Sequence, residues 1–196
     1  MLGRTAFRQG RLDEAERFLE KAFQVSGASP HIYTPACNAL AHCWRGDLLM
    51  RQRRRDNALQ SFRAGQEQVE ESPRSLGIGW ALLRSHVGLA SAFHQLGMRR
   101  EADASYQKAV ALLQSKEGYD FSGIWDAGDA QVNMELASYL AQSHQTEAAL
   151  RAMEKAVQAG WMETPRLDTD STFDPIRDEP RFRLIQAELA ARPQLD

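Results

Sequence analysis

Lysine is nearly missing from this sequence of 196 residues: 4 lysines stand against 20 arginines. That bias points to a GC-rich, bacterial genome, and it is a codon argument with no bearing on function. Cysteine is as scarce, with only Cys37 and Cys43. They lie six apart in one predicted helix, which separates them around and along its axis, so they cannot pair with each other. Reduced thiols in a cytoplasmic compartment follow as the simplest reading. Long apolar runs are absent, and a helical span needs about 20 such residues, so no membrane segment is expected. No basic start leads into an apolar stretch, so no signal peptide is read. Charge of one sign is also lacking. The net charge of −2 leaves no electrostatic footprint for nucleic acid or an anionic membrane. There is no glycine-rich phosphate loop, no paired-histidine ligand motif, and no nucleophile with a base at recognisable spacing. An enzyme is therefore not expected, nor any metal or cofactor.

What is present is repetition. Ala15, Leu19 and Ala22 recur as Ala58, Phe62 and Gly65, then as Ala102, Tyr106 and Ala109, then as Ala149, Met153 and Ala156. The first alanines are 43, 44 and 47 residues apart. A period in this range signals stacked helical units. A second phrase runs upstream in register. Gly3, Gly46, Ala90 and Ala137 are each followed three residues later by Ala6, Leu49, Phe93 or Leu140. Small residues stand where helix backbones must approach, and large apolar ones fill the gaps on the same face. Turns fall at Gly10, Arg53, Gly97 and His144. Each unit is thus helix, short turn, helix. The composition, 43% hydrophobic and 26% charged, suits a folded array rather than a disordered chain.

Ser29-Pro30 and Ser72-Pro73 read as helix starts, since serine caps free N–H groups and proline tolerates the first turn. Helices are expected over 30–52, 54–71, 74–96, 99–115, 124–143 and 146–159. Residues 118–123 form the one longer connection. The first helix of each pair spans roughly 20 residues, or about 30 Å.

These phrases resemble the tetratricopeptide repeat: a small residue in mid-helix, a turn glycine, then Ala-x3-aromatic-x2-Ala. The likeness covers about residues 1–160, in the long-helix form found in bacterial transcriptional activators and signalling proteins. Arg53 and His144 depart from the turn glycine, and Gly65 replaces a helix-favouring alanine at about 1 kcal/mol. The resemblance implies an all-α, right-handed solenoid. It comprises a partial repeat over 1–25, repeats over 30–71, 74–116 and 124–159, and a capping segment over 161–196. That tail is similar to the one that closes many bacterial arrays of this family. Phe182, Ile185 and Leu189 follow three-and-four spacing behind Pro180, as a terminal lid requires. Met1 falls inside the first helix of a pair, so the chain is expected to be the C-terminal part of a larger protein.

Candidate chemistry is sparse. His42 and His86 take matching places in successive repeats; a metal would need further ligands converging there and Cys43, beside His42, points elsewhere, so packed or surface histidines are expected. The stretch from Asp168 through Asp170 and Asp174 to Glu179 partly mimics a calcium loop, but Phe173 takes the place of its central glycine and Pro175 intrudes. Turn and cap roles are expected for these carboxylates. Arg51, Arg53, Arg54 and Arg55 form the strongest charge run, at an inter-helix turn, where a solvated loop is expected and phosphate or an acidic partner is the alternative.

The resemblance also implies a partner-binding groove along the first helices. Carried over place by place, it gives Arg4 and Arg8, then Leu40, Cys43, Asp47 and Met50. The next repeat gives Arg84, Val87, Ser91 and His94, and the last gives Gln131, Met134, Ser138 and Gln142. Tyr33 and Trp80 lie a turn or two farther out. Methionine and tryptophan suit adaptable peptide recognition, although the apolar members serve equally as packing between helices. Chaperone-binding members hold a terminal carboxylate with asparagines, whose places here are Arg4, Asp47, Ser91 and Ser138, so no such clamp is expected. Asp47 would repel an anionic chain end. The function implied is protein or peptide interaction without catalysis, in a bacterial regulatory protein. The alternatives are a small-ligand sensor, with a pocket around Trp80, Val87 and Met134, and a homodimer through Leu2, Ala6 and Phe7 of the partial repeat.

Overall fold

The computed structural model describes residues 6, 11–26, 34–70, 77–114, 128–162, 167–168 and 170–192. Among them the regular structure is entirely helical. Contacts divide the chain into two compact units, Met1–Trp125 and Asp126–Asp196.

In the first unit, α1 spans Leu12–Ser26, α2 Thr34–Arg51, α3 Arg55–Glu70, α4 Ile78–Gln95 and α5 Arg99–Gln114. Sequence neighbours pack as hairpins, α2 with α3 and α4 with α5. The first helices also pack directly on each other, α2 on α4, and α3 closes against α4. This is the stacked-pair arrangement that the repeats imply. The repeated alanines sit at the helix contacts: Ala15, Ala58, Ala102 and Ala109 are all buried, and Ala22 alone of this unit's set is exposed.

Phe62 of α3 shows why small residues are needed. The Cδ1–Cε1 edge of its ring lies against the backbones of α2 and α4. A Cβ added at Gly46 would fall 2.5 Å from Cε1, and one at Gly88 would fall 2.3 Å from Cδ1. Gly65 is likewise more than a weak helix former. A Cβ there would meet the Ala39 carbonyl oxygen at 3.0 Å and Ser85 Oγ at 3.2 Å, so glycine lets α3 approach α2.

The turns at Arg53, Gly97 and His144 fall where the repeat register puts them. Arg53 and His144, read as departures from a turn glycine, take the same left-handed backbone as Gly97, with φ of 59°, 56° and 77°. Each closes its helix with the same two bonds. Arg53 N–H donates to Met50 and Arg54 N–H to Leu49, at 3.0 and 2.9 Å. Gly97 and Met98 donate to His94 and Phe93, and His144 and Gln145 to Ala141 and Leu140, at 2.9–3.0 Å. This pattern satisfies carbonyls that a helix end otherwise leaves open. The backbone therefore repeats where the side chain does not.

Helix starts fit less well. α4 begins at Ile78 rather than 74, because Gly77 holds φ at 86° and interrupts any helix running through it. Ser29-Pro30, Ser72-Pro73 and the 118–123 connection lie outside the described residues. Ala6 is described and buried, so it is not part of an exposed dimer face; Leu2 and Phe7 lie outside the description.

In the second unit, α6 spans Gly128–Gln142, α7 Thr146–Gln158 and α8 Pro180–Ala191, with a short 3-10 helix at Ser171–Ile176. α6 pairs with α7, the 3-10 helix packs on α6, and α8 packs on α7. Pro180 stands in the first turn of α8, and Phe182, Ile185 and Leu189 are its buried face, as the three-and-four spacing requires. Phe182 lies 6.1 Å from the Phe173 ring.

The carboxylates that mimic a calcium loop are spent on this segment. Asp170 caps the 3-10 helix by accepting from Thr172 N–H at 3.1 Å, and Asp168 Oδ1 accepts from Gln186 at 2.9 Å. Asp174 pairs with Arg177 at 2.9 Å. Arg177 then gathers the incoming chain by donating to the carbonyls of Leu167, Asp168 and Asp170 at 2.6, 3.3 and 3.1 Å. Among the described residues no helix is long and apolar enough to cross a membrane.

Candidate partner-binding face

On α2, Cys43, Asp47 and Met50 follow three-and-four spacing, as do Arg84, Val87, Ser91 and His94 on α4, so each set lies along one helical face. The α2–α4 packing brings the two rows together. Arg84 and Asp47 form a salt bridge across the junction. The Cys43 sulfur lies 3.3 Å from Ser85 Oγ, which itself donates to the Ala81 carbonyl at 2.9 Å.

Burial sorts the sequence-derived set. Leu40, Cys43, Arg84 and Val87 are buried, whereas Asp47, Met50, Ser91, His94 and Trp80 are half-buried. Leu40 belongs to a core cluster with Ala36, Ala39, Val69, Ile78, Ala81 and Leu82, and Trp44, Trp80 and Leu112 pack against it. These apolar members hold the repeats together. The surface left along α2 and α4 is the set Asp47, Met50, Ser91 and His94, over a buried floor of Cys43 and Val87.

Electrostatics modify one expectation. Arg84 is 5% exposed, and a buried guanidinium needs a partner, because removing one member of such a pair leaves an uncompensated charge. Asp47 supplies that partner. Its carboxylate is balanced by Arg84, so the repulsion of an anionic chain end expected from Asp47 is largely cancelled.

The last repeat is occupied from within its own unit. Met134, Ser138 and Gln142 are buried. Ser138 Oγ donates to Thr172 Oγ1 of the terminal segment at 2.7 Å, and Gln142 Nε2 donates to the Ser138 carbonyl at 3.2 Å. Gln131 is in α6, but its side chain lies outside the description, as does Tyr33 entirely. Arg4 and Arg8 lie outside it too.

The matched histidines are packing groups. His42 sits against the Phe23 ring, centroids 4.5 Å apart. Burial, then Arg45, lowers its pKa against the opposing pull of Glu67. His86 is pushed down to about 4, first by burial and then by Lys108, with Glu70 opposing. Each has a buried Nδ1 without a hydrogen-bond partner. Among the described residues no group of three or more His, Cys, Asp or Glu is placed to hold a metal ion.

Sequence reasoning passed over Ser85, the partner of Cys43, and Trp44, which covers the core cluster. It also passed over Arg99 and Arg100, which stand 44 residues beyond Arg55 and Asp56, at the same turn of the next hairpin. The repeat offset was the signal for that last pair.

Comparison with known proteins agrees with the architecture. The tetratricopeptide repeat family matches at residues 1–28 and 83–112, which together make up less than a third of the chain. No curated protein and no solved structure matches. The first matched segment contains α1 and the second lies on the α4–α5 hairpin, and with the stacked helix pairs they support a tetratricopeptide-type helical repeat protein.

Proposed function

We propose that this chain is a non-catalytic interaction module that binds a protein segment along the α2–α4 face, on Asp47, Met50, Ser91 and His94. Repeats of this type generally mediate protein–protein interaction or scaffolding. The observation that carries the reading is the pairing of the two rows. The first helices of successive repeats pack on each other and are tied by Asp47 and Arg84, with Cys43 and Val87 buried and Asp47, Met50, Ser91 and His94 half-buried. Methionine adapts its shape to a partner, and serine and histidine offer hydrogen bonds, which suits recognition of a peptide more than of a rigid ligand. A role inside a larger bacterial regulatory protein is the natural setting, supported by the resemblance of the tail, and the full-length open reading frame tests it. The free thiols Cys37 and Cys43 suit a reducing cytoplasm.

Selection of binders from a displayed peptide library, followed by calorimetry, tests the face. Met50→Glu and His94→Glu should each weaken a selected peptide at least tenfold without unfolding the protein. Retained affinity in both variants would place binding elsewhere. Met134→Ala does not serve here, because its buried side chain makes that substitution a test of stability.

A further inference from the structure

We infer that the turn edge of the first unit is the acid-reading end of this face, where Arg53, Arg54, Arg55, Arg99 and Arg100 take a run of carboxylates in the partner peptide. The inference rests on the peptide-binding reading and names the partner's chemistry. All five arginines are exposed, and none is paired with a carboxylate among the described residues. The neighbouring acids are few: Asp56 in the first turn of α3 and Glu101 in that of α5, with Asp103 one turn on. The two turns lie side by side, since Arg55 Nε donates to Gln95 Oε1 at the end of α4 at 3.2 Å.

The placement is continuous with the face. Met50 and His94 sit in the last turns of α2 and α4, and the chain runs from each directly into the basic turns. A peptide lying on the face therefore reaches the arginines with one end. The position also works against the local fold. Cations at the start of a helix oppose its dipole, yet Arg55, Arg99 and Arg100 occupy the first turns of α3 and α5. Both helix starts would be steadier with acidic residues there.

Arginine suits carboxylates in particular, because its planar fork donates two parallel hydrogen bonds to them. The alternatives fit less well. Neither 51–57 nor 97–101 contains an aromatic residue on which a base could stack, and the whole chain carries −2. Met98 is the one exposed large apolar side chain in these turns, too little to anchor a membrane surface.

Fluorescence anisotropy with a labelled octaglutamate peptide at low salt provides the test. Binding should be saturable and absent for octaglutamine. It should weaken at least tenfold at about 0.15 M salt, where screening acts within about 8 Å. Arg54→Glu combined with Arg99→Glu should also cost at least tenfold. Acidic residues at these helix starts favour the dipole, so the double variant should melt at or above the wild-type temperature. The neutral Arg54→Gln/Arg99→Gln pair should show a smaller loss. Three results would overturn the inference: no octaglutamate binding, equal binding by the double variant, or an arginine-dependent preference for oligothymidylate or phosphatidylserine vesicles. Face-selected peptides that lack acidic residues and bind the double variant normally would also overturn it, while leaving the face intact. Arginine-dependent octaglutamate binding with no peptide selected on the face would uphold the basic edge and sink the reading of the face.

Discussion

Replacing Gly88 with alanine sets two physical effects against each other. In an isolated helix the change is favourable by about 1 kcal/mol, because glycine loses more backbone entropy on folding. In this fold the new Cβ would fall 2.3 Å from both Cδ1 and Cε1 of Phe62. Carbon atoms rest at about 3.5–4.0 Å, so the ring or the helix must move by more than 1 Å. The ring has little freedom, because Gly46 meets the same edge and Phe62 is 1% exposed. Overpacking of this kind costs about 1–3 kcal/mol, and two close carbons place it at the upper end. The net expectation is a loss of about 2 kcal/mol, opposite in sign to the propensity. Gly46→Ala should lose slightly less, since its nearest approach is 2.5 Å. Urea unfolding followed by circular dichroism measures each variant, with the slope checked for loss of cooperativity. Phe62→Leu then serves as the partner in a double-mutant cycle. Shortening the ring should relieve Gly88→Ala, giving a coupling of at least about 1 kcal/mol. A stabilised Gly88→Ala variant, additive with Phe62→Leu, would refute the reasoning, because it would mean that the ring is free to move.

Arg53→Gly and His144→Gly should each stabilise the protein by up to about 1 kcal/mol, since the left-handed conformation costs an L-residue about 1–2 kcal/mol and glycine's extra entropy returns part of it; a loss in urea midpoint would count against those turn geometries. His86 should make stability depend on pH. Its folded pKa of about 4 lies below the ordinary 6.5, so its contribution is fully present above 6.5 and is lost as pH falls through 4, by about 3 kcal/mol in total. His86→Leu should flatten that part of the stability–pH curve, and an unchanged slope would contradict the burial argument. Arg177→Ala removes the donor that three carbonyls share, so amide exchange across 167–177 should quicken at least tenfold while α6 keeps its protection; unchanged exchange would show that Asp170 and the Phe173–Phe182 contact hold the segment alone.

The repeated phrases made the fold legible because they record contacts that every unit must make. Ala58, Ala102 and Ala149 are buried to the same degree, and Phe62 and Met153, at the matching large position of their repeats, are both fully buried. The turns were only half legible. A glycine announces a left-handed residue, but Arg53 and His144 adopt that backbone silently, because the helix-closing hydrogen bonds outweigh the cost to the side chain. The candidate face was legible in register and not in exposure. Helical spacing gives the angle of Cys43 or Val87 around its axis. It does not say how closely the next helix stands, and α2 and α4 stand close enough to each other that both are buried. Ser138 stands at a groove-facing place in the repeat for the same reason, yet the 3-10 helix of the terminal segment covers it through Thr172. No local pattern in α6 announces a neighbour 34 residues away.

The claim that residues along α2 and α4 form the binding face is tested most directly by mapping a selected peptide with backbone amide NMR. Titration should shift the amides around Asp47, Met50, Ser91 and His94 together, with a common saturation curve, and leave those of α1 in place. Shifts confined to other surfaces, at full saturation of the peptide, would contradict it.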